Sequence, residues 1–458
     1  MRTRSTGSAT EWDVVVVGAG LGGLACAAHL ARGSRRVLVL ESASSVGGQC
    51  NTAMVAGTRF IVGANGFGAH AHEVLRELGT SIEPLPSTAR IFYRGTEVGS
   101  PAAMFRNRSV LGTTALGLVS TMARLVRASK RTPAGANTYA DAIARVASGP
   151  GLQDILHLFA WLVATHPSVL PASSLSSSLG ATYGYGKTWY PAAGAQAIPE
   201  ALASIVRSSG GEIHTGRSVE RITVERGVVS GVLCDGEHIP SPVVVSNAEI
   251  RRTLALAGDA VAPEIRARID ALPRSLSVAT LLLLVSPDAP ILKRIDLRRG
   301  APGSIVILDD SVAETMARLE SGEGLPNPVI CIALGEAIAQ AAPGRPVPLS
   351  VVALWPNAEV DEDRYVDETL ARIERHVGEF GGKLLHCELV TPGRYESRFG
   401  FSSCPAPVLE RVGSRKPGRA LFIPGLFNVG ASVQPQGTHA GAALESGRLC
   451  ARELLVSV

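Results

Sequence analysis

Val14-Val-Val-Val-Gly18-Ala-Gly20-Leu-Gly-Gly23-Leu-Ala decides how this chain folds. Four β-branched residues in a row suit a strand covered on both faces. The G-x-G-x-x-G spacing that follows predicts a tight turn at Gly18, a close approach of backbone to a ligand at Gly20, and a helix packed tightly on the strand at Gly23. Leu24 to Ala31 has the Ala/Leu character of that helix, and Val37 to Leu40 is a second buried strand. A β-α-β unit within thirty residues is the unit of a parallel sheet.

A helix start of this kind presents unpaired N–H groups and a positive dipole end, so it suits a diphosphate. The second strand ends at Glu41, 23 residues after Gly18. An acid at that place accepts from both hydroxyls of an adenosine ribose and repels a 2′-phosphate. A glycine-rich turn of another α/β protein would account for the spacing alone, but not for strand, helix and acid together.

Outward from this unit, 276–286, 304–308 and 328–333 read as further strands, with Leu276 to Val285 the longest apolar run. Residues 70–170 read as mostly helical and apolar with few strand runs, and Gly211 to Val245 as short strands with turns. Asp361 to Phe380 is an amphipathic helix by spacing (Val366, Leu370, Ile373, Val377). The end returns to a strand over Ala420 to Ile423, a glycine-rich loop, and a helix over Ala440 to Leu455. Glycine-rich segments at both ends predict one cofactor domain assembled from both termini, residues 12–75 with 195–265 and 415–458. Residues 76–194 with 266–414 would form a substrate domain. The expected fold is α/β, a Rossmann-like parallel-sheet domain interleaved with an α+β domain.

Composition bounds the function. The 458 residues are 46% apolar and 18% charged, which supports a large buried core. Aromatics are only 5%, so a binding cavity would be mainly aliphatic. The net charge of +4 is spread without a basic block of the kind nucleic-acid binders carry. Seven scattered cysteines without C-x-x-C argue against a disulfide framework or a zinc site and fit a reducing cytoplasm. The polar first eleven residues lack an apolar signal core, and the run at Leu276 is too short to span a bilayer.

Beyond Glu41 come Ser45-Val-Gly47-Gly48-Gln49-Cys-Asn-Thr52 and Gly57-x-x-Phe60-x-x-Gly63. With these, the sequence resembles the FAD-dependent amine oxidase and phytoene desaturase superfamily, whose fingerprint continues past the ribose acid with a GG-R-x-x-[ST] turn and a G-x-x-F-[DE]-x-G segment. Trp189-Tyr-Pro191-Ala-Ala-Gly194, Gly211 to Ile222, Val243-Val-Val-Ser-Asn247-Ala248 and Leu421 to Gly437 followed by Ser446-Gly447 resemble its later motifs in order. The resemblance implies FAD. It places Gly18, Gly20, Leu21, Gly22, Gly23, Glu41, Ser42, Gly47, Gly48, Gln49, Gly63, Ala64, Val219, Asn247, Gly430, Ala431, Gly437 and Thr438 along the cofactor, with a backbone group of Val219 at the adenine. Two positions depart from the family. Gln49 stands where Arg usually meets the pyrophosphate, and Ala431 where Asp usually bonds the ribityl chain. Asn51, Asn428 or Ser432 are candidates to replace those contacts.

For chemistry, His439 at the start of the final helix is a candidate base, Asn65 a candidate beside the flavin ring, and Tyr185 a candidate cavity residue, with Trp189 and Tyr190 nearby. Each has an ordinary alternative as cap, turn residue or core. Lys187, His70 and His72 fit solvated or helical roles. The segment Arg106 to Arg131 mixes Leu111, Leu116, Leu118, Val119, Met122, Leu125 and Val126 with basic residues. It reads either as a helix on a membrane interface or as a substrate-domain helix with a solvated face. The resemblance favours a desaturase-like oxidoreductase acting on a hydrophobic isoprenoid, polyene or alicyclic metabolite. The fold also hosts flavin-dependent isomerases or saturases, amine or amino-acid oxidases, and flavin-free proteins that bind prenylated partners.

Overall fold

In the computed structural model the valines of Val14–Val17 form the central strand of a five-stranded parallel sheet. The structure describes residues 12–64, 66–179, 188–323, 327–435, 437 and 440–456. The strand order in this sheet is Leu426–Asn428, Val244–Ser246, Val14–Val17, Val37–Glu41 and Glu212–Thr215. Each neighbouring pair is parallel.

The unbroken apolar run divides by alternation. Val14, Val16, Val37 and Val39 enter one core with the first helix (Leu21–Arg32) and the helices Ala197–Ser208 and Ala440–Val456. Val15, Val17, Leu38 and Leu40 enter another with Val219, Ile222, Val229 and Val232. That second core lies beneath an antiparallel sheet of Val219–Glu225, Val228–Cys234 and Glu237–Pro240. Period-two alternation with both faces covered is why the run carries no polar residue.

A second sheet of seven strands runs in the order Leu384–Val390, Val278–Val285, Val347–Leu354, Ile330–Ala333, Ser304–Leu308, Ala89–Tyr93, Thr96–Glu97. It is antiparallel except where Ser304–Leu308 runs beside Ala89–Tyr93. Helices Ala115–Ala128, Tyr139–Val146, Pro150–Leu162 and Ser173–Leu179 gather over a core that takes in Tyr93, Val306 and Cys331 of this sheet. Helix Glu362–His376 packs on a separate core of the same sheet through Tyr365 and Ile373.

Several boundaries differ from expectation for physical reasons. Residues 70–170 contain three short strands besides the helices, Pro84–Pro86, Ala89–Tyr93 and Thr96–Glu97. They are too short, and in Ala89–Tyr93 only Phe92 and Tyr93 are buried, so no apolar alternation marks them. The last strand of the parallel sheet is Leu426–Asn428 rather than Ala420 to Ile423. Gly425, with φ of +85°, turns the chain, and a Cβ there would lie 2.5 Å from the carbonyl oxygen of Pro242. Leu421 then folds back to donate to the carbonyl of Leu426. The helix expected over 361–380 runs from Glu362 to His376, with the Asp361 carboxylate capping it by accepting from the Arg364 amide at 3.1 Å.

Candidate functional site

Every segment singled out around the first helix converges on its N-terminus. Gly18 turns out of the strand with φ of +96°, and its amide donates to the Leu40 carbonyl at 2.7 Å. The next amide, Ala19, donates to Glu41 Oε2 at 2.6 Å. Glu41 Oε1 accepts from the Ala43 amide at 2.8 Å and from Ser42 Oγ at 3.3 Å. The carboxylate is thus buried and aimed by two donors on its own turn and one from the glycine turn. A carboxylate offers about four acceptor positions, so one stays open for a ligand hydroxyl.

The second glycine pair closes on the first turn. Gly47 donates to the carbonyl of Ala19 at 2.8 Å and bridges to Gly20. A Cβ on Gly48 would lie 3.2 Å from Gly20 Cα. From the far side comes Asn247, at the end of the strand Val244–Ser246. Its side-chain oxygen accepts from the Gly23 amide and caps the helix from another part of the chain. A Cβ on Gly20 would lie 2.6 Å from Asn247 Nδ2. One on Gly22 would meet Asn247 Oδ1 at 2.8 Å and the Gly430 amide at 2.9 Å. The amides of Leu21 and Gly22 have no acceptor among the described residues. Two free donors at the positive end of a twelve-residue helix, in a cradle that any Cβ would fill, suit an anionic group.

The loop after Leu426–Asn428 forms the other wall. The Gly430 amide donates to Ser446 Oγ at 3.2 Å. The Ala431 carbonyl accepts from Lys416 Nζ at 2.6 Å, and Lys416 also donates to the Gly437 carbonyl. The Gly437 amide donates to Glu410 Oε1 at 2.7 Å. Lys416 is 2% exposed. Burial pushes its pKa down to about 8, with Glu410 pulling the other way. Nothing in the Ser-Arg-Lys-Pro-Gly stretch around Lys416 distinguishes it from a solvated loop lysine, so neither it nor Glu410 was expected here.

The remaining expected residues fall as follows. Gly63 packs on the backbone of Gln49, and the Ala64 amide donates to the Gln49 carbonyl at 2.9 Å. The side-chain amide of Gln49 turns to the 402–404 loop, donating to the Ser402 carbonyl at 2.8 Å and the Cys404 carbonyl at 3.4 Å. Val219 is buried against Val17, Leu38 and Leu40. Asn428 Nδ2 is taken up by the carbonyls of Ser246 and Ala248 and by Thr253 Oγ1. Ser432 Oγ accepts from the Ile250 amide, and Asn51 Nδ2 donates to Ser45 Oγ. Trp189 and Tyr190 are core residues. The Trp189 indole donates to the Gly68 carbonyl at 2.9 Å and lies 5.2 Å from the Phe67 ring. His70 lies on helix Ala69–Glu77 between Glu73 and Glu445. Asn65, Tyr185, Lys187, Thr438 and His439 lie outside the described residues. Among the described residues there is no cluster of His, Cys, Asp and Glu suited to a metal ion. No helix among them is long and apolar enough to cross a membrane.

The parallel sheet, the glycine turn and the acid at the second strand's end define a dinucleotide-binding protein of the Rossmann-like class. The model of the flavin-containing amine oxidoreductase family matches residues 21–455, and the chain belongs to that family. By that membership it is an FAD-dependent oxidoreductase. A zeta-carotene-forming phytoene desaturase of Myxococcus xanthus is 28% identical over 279 residues, 52% of this chain and 53% of that one. A phytoene dehydrogenase of Streptomyces griseus is 25% identical over 501 residues, 96% of this chain and 94% of that one. The match thus spans about half the length of the Myxococcus protein and nearly all of the Streptomyces one. Among solved structures, an oxidoreductase from Methanosarcina mazei has a TM-score of 0.70 at 19% identity, covering 96% of this chain and 99% of that one. At that identity the likeness speaks for the fold alone.

Proposed function

We propose that this oxidoreductase is desaturase-like and removes hydride from a carbon of a hydrophobic metabolite of the isoprenoid, polyene or alicyclic kind. The observation that carries the proposal is the similarity to a phytoene dehydrogenase along nearly the whole of both chains. FAD, when bound, supplies the hydride acceptor. The chain's own residues do the holding. The amides of Leu21 and Gly22 take the pyrophosphate, and Glu41 takes the adenosine ribose. The backbone at Val219 borders the adenine, and the Gly430–Gly437 loop, braced by Lys416, follows the ribityl chain. Gly63 and Ala64 close the near side.

Lys416 stands in for the acid that the family carries at Ala431 in one respect only. It fixes the loop from behind, through carbonyls, where an Asp would bond the ligand directly. His439, Asn65 and Tyr185 remain the proposed groups nearest the reacting carbon. A metabolite of this kind partitions into lipid, so the proposal includes access from a membrane surface.

The test is release and mass identification of the cofactor from purified protein, followed by anaerobic titration of the loaded protein with acyclic polyenes, alicyclic terpenoids and primary amines. Bleaching of the flavin band by a polyene or terpenoid is the expected result. Bleaching by amines alone would overturn the substrate class and leave the flavin assignment standing.

A further inference from the structure

Helix Ala115–Ala128 has two apolar stripes. Leu118, Thr121, Leu125 and Ala128 face the core beneath it. Leu116, Val119, Met122 and Val126, spaced three, three and four apart, form a second stripe turned to the outside. They are 78%, 62%, 41% and 65% exposed. Phe105, on the short helix just before, is 50% exposed. These five are among twelve exposed large apolar residues described in the whole chain, and the other seven are scattered. A surface helix ordinarily carries polar residues on its outer side, and a contiguous apolar patch of this sort marks a contact surface.

Along this segment the charge has one sign. From Val98 to Ala140 the sequence holds Arg106, Arg108, Arg124, Arg127, Lys130 and Arg131 and no Asp or Glu. All six are exposed, and among the described residues none has a carboxylate partner. The Arg108 guanidinium lies 5.3 Å from the centre of the Phe105 ring, which keeps a cation beside the apolar edge.

We infer that this face docks the protein on a bilayer containing anionic lipid, with the apolar stripe in the acyl boundary and the six cations among the headgroups. A hydrophobic patch alone would suit a second copy of the chain equally well. Six unpaired cations around it repel an identical face and attract an anionic one. The inference rests on the lipophilic-substrate proposal only in saying why docking is useful.

The experiment is flotation of the flavin-loaded protein with vesicles of phosphatidylcholine alone and with vesicles containing about one third phosphatidylglycerol. The wild type should float with the anionic vesicles, far less with the neutral ones, and lose binding as salt rises past about 0.5 M. L116S/V119S/M122S and R124E/R127E should each cut the bound fraction at least tenfold, with unchanged flavin spectrum and thermal midpoint. L385S, at an exposed apolar site elsewhere, should bind as wild type. Equal binding by all variants, or none by the wild type, overturns the inference. So does self-association of the wild type that the triple variant abolishes. Anaerobic bleaching of the same proteins in detergent separates the two proposals, since a failure of docking leaves it intact.

Discussion

The ammonium of Lys416, itself 2% exposed, lies 2.6 Å from the carbonyl oxygen of Ala431. A buried cation of this kind is bound to a pH dependence. Its folded pKa, about 8, is below the ordinary 10.5, so between these values the unfolded chain holds a proton that the native one has released. Stability therefore rises with pH across that window, and the cost of burying the charge is fully present below pH 8. Urea denaturation should show the wild type gaining on Lys416→Met by on the order of 1–3 kcal/mol from pH 8 to pH 10. Parallel curves would mean that the cation is not held as described. Lys416→Met should also release FAD faster at pH 7, because nothing then ties Ala431 to Gly437.

Replacing Gly22 with Ala should empty the protein of flavin without unfolding it. The new methyl would press on the Gly430 amide and the Asn247 side chain, the two walls of the cradle. The ratio of flavin to protein absorbance should fall at least tenfold. Gly393→Ala is the companion: nothing lies within 4 Å of its Cβ position and its φ is ordinary, so it should keep its flavin and gain about 0.5–1 kcal/mol. A loaded Gly22→Ala protein would move the pyrophosphate elsewhere.

Glu41→Leu strands the amides of Ala19 and Ala43, each of which has its acceptor on this carboxylate. Unmet donors cost about 1–3 kcal/mol each when buried. The variant should lose both stability and FAD affinity, whereas Glu41→Gln keeps an acceptor for only one of the two amides, so it should lose affinity and a smaller part of the stability. Fluorescence of FAD released on dilution gives the dissociation constants, and thermal melts of the apo proteins isolate the structural part. Equal apo melts for wild type and Glu41→Leu would contradict the bonding described.

Arg59→Met leaves Glu336, 3% exposed, without its cation at 3.0 Å. Burial raises the pKa of this carboxyl above its ordinary 4.5, with Arg59 acting to lower it. The native carboxyl then binds a proton that the unfolded one has lost, so its contribution to stability falls as pH rises through the raised value. Removing Arg59 widens that window. The loss should be about 1–3 kcal/mol at pH 7.5, below the range for fully buried pairs because the guanidinium is 41% exposed, and smaller at pH 5. Melting curves at the two pH values check this. A loss independent of pH would place the effect in packing alone.

The parts of the cofactor site that were legible in the sequence are those where local chemistry and long-range geometry agree. Gly18 to Gly23 and Glu41 are close in sequence and act through backbone, so spacing alone places them. Lys416 and Glu410 act on the same loop from fifteen and twenty-seven residues away, through contacts no periodicity records. Gln49 was expected at the pyrophosphate because its backbone position is right. Its side chain belongs to the 402–404 loop, which only the tertiary fold brings near. The second sheet was visible where a strand is almost wholly apolar, as in Val278–Val285, and invisible in Ala89–Tyr93, where half-burial blurs the pattern.

Asn247 has a further bearing on how the protein comes to exist in the cell. Its side chain joins the first helix to a strand more than 200 residues downstream, and the Gly430 loop completes the same cradle from still farther along the chain. A chain emerging from the ribosome carries the glycine turn long before Asn247 and the Gly430 loop follow to supply its opposite walls. Flavin capture is therefore a late event, and cells short of FAD should accumulate finished but empty protein rather than stalled or truncated product.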